Sequence, residues 1–333
     1  VADAESPNAK ALAAAGAELR ILEHPPQPRA FAGASWVFVL APLTADRLER
    51  GRLLMGAALA AGVPRAALLS VIGAGPEAPP SLGAYYALEQ HLADVWPNRA
   101  WTVFRTYFYQ QNLLLWSADV RATGALRLPL TSGCFAPLYE PDVAAVLFEV
   151  VQALPSEAMG KVLQLTGPRS MDGAALARSA SQALGPPSLR FEAVTRSVAA
   201  AALESAAGLD PSEASLLLDL LELQAQPQAC ESYPSMDVEL VTGSPATDIG
   251  VFFAEHVQDF RPGTPVRFAS EAEAATPTAR RLLSSEAAQV AAAVTSLSAI
   301  LLVVVAGFCA RTLLSGRQAA VDAPYRSLQG AAH

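Results

Sequence analysis

The chain has 333 residues, 52% of them hydrophobic and only 16% charged, and carries a formal net charge of −8. An acidic chain without a basic stretch excludes nucleic acid as a partner. Three scattered cysteines and four isolated histidines show no zinc-ligand spacing, so no metal site is expected.

The predicted elements alternate helix and strand. Ala9–Ala15 reads as a helix ended by Gly16, and Glu18–Leu22 as a short strand. Pro25, Pro26 and Pro28 mark a loop. The continuous apolar run Trp36–Leu40 predicts a strand covered on both faces. Thr44–Ala61 is a helix closed by Gly62, and Ala66–Ile72 a second buried strand. A helix over Leu82–Val95 and a strand over Trp101–Phe108 follow. Asp142–Leu154 reads as a helix with Asp142 as N-cap. Then come a strand at Val162–Leu165, a helix at Gly173–Leu184 and a strand at Leu189–Val194. Helices at Thr195–Ala207 and Pro211–Gln226 complete the series. This alternation predicts an α/β fold, a doubly wound, mostly parallel sheet with helices on both faces. The predicted domain spans 1–265, a linker 266–288, a membrane helix 289–310 and a polar tail 311–333.

The membrane helix rests on 21 uncharged residues, Val290–Ala310. As a helix they extend about 31 Å, close to the thickness of bilayer hydrocarbon. Arg280, Arg281 and Glu286 flank one end, Arg311 and Arg317 the other. The first half is small and hydroxyl-bearing. Ala291, Thr295 and Ser298 are expected to form a face against another membrane helix, with a lone anchor as the alternative. The expected partners are therefore the bilayer and subunits of a membrane complex.

Other chemistry is sparse. Cys134, Cys230 and Cys309 are read as unpaired thiols, with a disulfide as the alternative. Gly73 and Gly75 follow a strand but lack the GxGxxG spacing of a phosphate loop. Ser70 with His91 and Asp94 lacks the G-x-S-x-G elbow of a hydrolase. Glu140 and Asp142 form a carboxylate pair that an N-cap explains more simply. Arg105 lies on an apolar strand and is expected to pair with Glu89.

The order of several segments resembles the NmrA-like branch of the atypical short-chain dehydrogenase/reductases. Ser6–Leu19, Ala32–Leu43 and Ala60–Gly75 resemble successive strand and helix regions of that fold, with Ser70 at the usual serine. Leu88–Leu114 resembles its E-x-x-L, W-T-x-x-R and F-x-x-N passage through Glu89, Arg105, Phe108 and Asn112. Ala136–Val151, Leu163–Gly185 and Val241–Phe260 resemble its later segments. The resemblance implies a Rossmann-like fold with a cleft at Ala41, Pro42, Ser70 and Tyr107, where a dinucleotide would bind.

Two departures shape the functional expectation. The family's Gly-rich turn would lie before Val1, so NAD or NADP is expected only where such a segment exists. Losing the first strands would open a gap in the middle of the sheet, so the missing portion is expected to exist outside this sequence, with a remodelled sheet or another chain filling the gap as the alternatives. Typical members of the wider class use Tyr and Lys four residues apart as proton donor and cofactor holder. Here Tyr85 and Tyr86 are followed by Glu89 and Gln90, so no catalytic residue is assigned. The expected function is a non-catalytic, reductase-like accessory or assembly subunit of a respiratory or photosynthetic membrane complex. The expected location is the mitochondrial inner membrane or thylakoid. The alternative is a membrane-anchored NAD(P)H-dependent reductase of a quinone or lipid-like substrate.

Overall fold

A computed structural model describes residues 7–14, 16–20, 22–153, 158–207, 209, 211–226 and 234–261. Helix α1 covers Pro7–Ala14, strand β1 Val37–Val39, α2 Arg47–Ala60, β2 Ala66–Val71 and α3 Pro80–Val95. Strand β3 covers Trp101–Thr106, α4 Ser117–Thr123, β4 Ala125–Leu128, α5 Glu140–Ala153 and β5 Lys161–Leu165. Then come α6 at Gly173–Leu184, β6 at Arg190–Ala193, α7 at Arg196–Ala207 and α8 at Pro211–Gln224. Three short helices follow at Asp237–Thr242, Ile249–Glu255 and Val257–Phe260.

The main sheet has four strands in the order β1-β2-β3-β5, all parallel. Leu68 pairs with Val103 and Ala67 with Thr102, and successive residues along each strand face opposite sides. On one side Val39, Leu68 and Val103 pack with Met55, Ala58, Leu88 and Leu92 of α2 and α3. On the other, Ala67, Phe104 and Leu165 join Leu113, Trp116, Phe135 and Val146. Burial on both faces explains why these strands read as unbroken apolar runs.

Several expectations are corrected. Glu18–Leu22 forms no strand among its described residues. Its Arg20 instead reaches across the chain to the carbonyls of Ala30 and Ala32. Among the described residues the four strands form one continuous parallel ladder, with β1 at its end. Strand β6 does not join that sheet. It pairs in parallel with β4, a strand missed in the sequence, to form a separate two-stranded sheet. Asp142 is not an N-cap, since α5 begins at Glu140. Its carboxylate instead accepts from the Thr247 amide and hydroxyl at 2.7 and 2.8 Å, tying α5 to the C-terminal helices. Cys134, read as a free thiol, is disulfide-bonded.

The uncharged run 290–310, with Ala291, Thr295 and Ser298, lies outside the described residues. Among those described, no helix is long and apolar enough to cross a membrane.

Candidate active site

A narrow pocket of about 40 Å³ opens where β1, β2 and β3 reach their carboxyl ends. Open α/β sheets bind ligands at this edge because the loops there diverge and leave a crevice. Ala41, Ser70 and Tyr107, three of the four residues expected in the cleft, line this pocket. Pro42 does not, although its neighbours Ala41 and Leu43 do. Tyr85, Thr106, Tyr109 and Asn112 complete the polar part of the lining.

Sequence reasoning missed the roof. Leu216, Leu217 and Leu220 of α8 close the pocket from above. Leu216 and Leu220 pack with Val71, Ala74, Leu82 and Tyr85, so α8 sits on the carboxyl edge of the sheet. The Gly73 turn lies beneath the same helix, and a Cβ there would come 2.4 Å from Leu223 Cδ2. Leucine fills the space a phosphate would need, in agreement with the poor spacing of Gly73 and Gly75. Polar contacts hold α8 in place: Asp219 accepts from Ser81 of α3, and Arg196 of α7 pairs with Asp219 at 2.8 Å and with Glu222 at 2.7 Å.

Behind the pocket floor lies a buried polar network. Ser70 Oγ donates to Glu89 Oε1 at 2.5 Å, and Arg105 reaches both Glu89 oxygens at 2.9 and 2.6 Å. The expected Arg105–Glu89 pair therefore forms, and it explains the anion four residues after Tyr85. Glu89 is the counter-charge for Arg105, so the position cannot carry a cofactor-holding lysine. His91 and Asp94 play no part in the hydrogen bonds of Ser70, which excludes the hydrolase arrangement.

A cation does approach Tyr85, but from another element. The Arg47 guanidinium lies 5.4 Å from the Tyr85 ring centroid. It donates to the carbonyls of Leu43, Thr44 and Ser81. Burial pushes the Tyr85 phenol up, and the charge and hydrogen bonding of Arg47 only partly oppose this. Tyr85 therefore keeps its proton and is not an activated acid.

Two further groups bear on the site. Tyr109 donates to Thr106 Oγ1 at 3.0 Å, and Thr106 donates to the Ser70 carbonyl at 3.1 Å. Burial raises the Tyr109 phenol. Glu140, at the start of α5, is buried, and its Oε1 has no hydrogen-bond partner. Desolvation pushes its carboxyl up to about 7. No cluster able to hold a metal occurs among the described residues.

Comparison with known proteins gives a consistent result. The chain is 32% identical over 260 residues to the NAD(P)H azoreductase of Xenophilus azovorans, covering 78% of this chain and 87% of that protein. Its fold resembles the NADPH-dependent quinone oxidoreductase QOR2 of Escherichia coli, at 23% identity and a TM-score of 0.63. That match covers 74% of this chain and 86% of the other. The triphenylmethane reductase of Citrobacter sp. matches at 19% identity and a TM-score of 0.62, covering 75% and 86% of the two chains. The transcriptional regulator NmrA matches more distantly, at 15% identity and a TM-score of 0.51, over 69% and 76% of the two chains. No family model matches the chain. The 32% identity to an NAD(P)H azoreductase overturns the expectation of a non-catalytic accessory subunit, while the solved structures show the fold.

Proposed function

Because this chain belongs to the family of the Xenophilus azovorans NAD(P)H azoreductase, we propose that it is an NAD(P)H-dependent reductase of planar, electron-poor organic molecules. The observation that supports this most directly is the apolar pocket at the carboxyl edge of a parallel sheet in a chain 32% identical to a reductase. Quinones and azo compounds are the proposed substrate classes, by analogy with its relatives.

The described residues fit one end of the dinucleotide. Ala41 and Pro42 follow β1 and bring no polar side chain, and the side chain of Ser70 at the end of β2 is turned toward Glu89. A flat, weakly polar ring suits such a floor. The phosphates need backbone amides in a glycine-rich turn, and the Gly73 turn under Leu223 does not supply one. When bound, the cofactor supplies hydride. The chain's own residues shape the floor, exclude water with the α8 leucines, and keep the phenols of Tyr85 and Tyr109 protonated.

The missing Tyr-x-x-x-Lys pair is no obstacle to this chemistry. Quinones and azo groups accept hydride without strong general-acid help, and bulk water can protonate the product. The test is oxidation of NADPH by the purified full-length protein in the presence of a quinone. Turnover supports the proposal, and no turnover with any quinone or azo acceptor defeats it.

We further propose that the uncharged run 290–310 anchors the protein to a bilayer, on the strength of its 21 residues without charge. Flotation with liposomes, lost on truncation after residue 285, is the corresponding test.

A further inference from the structure

Asn112 follows β3 in a 3-10 turn, Gln110–Trp116, and its side chain lines the pocket. It is 7% exposed, yet its Nδ2 meets no hydrogen-bond partner. A buried amide donor left unmade costs about 1–3 kcal/mol, so its retention in a core needs a reason. The backbone is not that reason, since the Asn112 amide already donates to the Tyr109 carbonyl at 3.1 Å.

The rest of the lining narrows what the donor serves. Three pocket hydroxyls already donate within the protein: Ser70 to Glu89, Thr106 to the Ser70 carbonyl, and Tyr109 to Thr106. No charged residue lines the pocket among the described residues. The two nearby cations point elsewhere, Arg47 to three carbonyls and Arg105 to Glu89. An anion entering this apolar space would lose its hydration without gaining a counter-charge. A neutral acceptor would lose little and would satisfy Nδ2.

Position separates substrate from cofactor. In doubly wound sheets the dinucleotide crosses at the point where strand order reverses. The four described strands run in one direction away from β1, so that point lies at β1 or beyond it. Asn112 follows β3, two strands further in, about 10 Å away at the usual strand spacing. It sits on the substrate side.

Resting on the reductase reading above, we propose that Asn112 is a specificity-determining residue whose Nδ2 donates to the acceptor oxygen or nitrogen of an uncharged, planar substrate. The pocket, at about 40 Å³, has room for a water rather than a ring. Admission of a ring therefore requires the α8 leucines to move outward, and Asn112 then lies opposite them as the fixed polar contact.

The test uses the full-length protein with 1,4-naphthoquinone and its anionic 2-sulfonate as probes, and calorimetry as the readout, with and without NADPH. The expected result is tighter binding of the neutral quinone than of the sulfonate. Asn112→Leu should weaken the neutral quinone about tenfold, as expected for one hydrogen bond to a buried donor. It should leave NADPH affinity unchanged. Asn112→Asp keeps the shape, replaces the donor by an acceptor, and should weaken the quinone at least as much. It also carries the test if the leucine variant misfolds. Equal quinone affinity in wild type and variants, or equal affinity for the sulfonate, would overturn the assignment. So would a loss confined to NADPH. Asn112-dependent quinone binding without any NADPH oxidation supports the assignment and defeats only the reductase reading.

Discussion

Arg105 forks onto Glu89, with Nε 2.9 Å from Oε1 and Nη2 2.6 Å from Oε2. The pair joins the end of β3 to α3 and holds Ser70, which donates to the same carboxylate, at the end of β2. The carboxylate side chain is 4% exposed and the guanidinium side chain 22%. Removing one partner leaves the other charge without compensation, which is costly in such a setting. Glu89→Ala should therefore lose about 3–5 kcal/mol of stability. Urea denaturation measures it, and a loss below about 1 kcal/mol would show that the pair is a solvated surface bridge.

Glu140 predicts a pH dependence. Burial raises its folded carboxyl from 4.5 to about 7. The neutral form is the one the fold favours. Its contribution is fully present below about 4.5 and is lost as pH rises through about 7. The difference is on the order of 3 kcal/mol. Wild type should be more stable near pH 5 than near pH 8, other carboxylates aside, and Glu140→Gln should flatten that part of the profile. Urea midpoints at the two pH values decide it.

Asp219 predicts how firmly the roof is fastened. It joins α8 to Ser81 of α3 and to Arg196 of α7. Arg196 keeps a second carboxylate, Glu222 at 2.7 Å, so Asp219→Asn should cost only about 1 kcal/mol. Its larger effect should be local. Amide exchange over Pro211–Gln224 should accelerate while the four-stranded sheet stays protected. Uniform acceleration would mean that α8 opens only with global unfolding.

Gly133 predicts a steric limit at the other end of that helix. A Cβ at this position would lie 1.8 Å from the Gln224 carbonyl oxygen and 2.6 Å from the Ala225 carbonyl carbon. Both are backbone atoms and cannot rotate away. Gly133→Ala should therefore cost about 3 kcal/mol, measured as a fall in the unfolding midpoint.

Much of the sheet was legible because its strands are buried on both faces. Trp36–Leu40, Ala66–Ile72 and Trp101–Phe108 are unbroken apolar runs that match β1, β2 and β3 to within two residues. Strand β4 was hidden because Ala125–Leu128 is only four residues long, and its ladder partner among the described residues, β6, begins only at Arg190. Asp142 misled because an acid just before an apolar helix resembles a cap, whereas its partner Thr247 is remote in sequence. Of the cleft residues that the family resemblance named, Ala41, Ser70 and Tyr107 line the pocket. The α8 leucines were not, because an apolar helix face gives no sign of which surface it will cover. Asn112 had been noted as a motif match, but its orphaned amide exists only once the chain folds around it.

Hydride transfer from a pyridine nucleotide is the central claim, and stopped-flow absorbance at 340 nm tests it most directly. Full-length protein mixed with NADPH and 1,4-naphthoquinone should oxidise the nucleotide in proportion to protein added. Deuterium on the transferred position should slow the reaction. An enzyme-independent rate, with no isotope effect and no binding of NADPH, would contradict it.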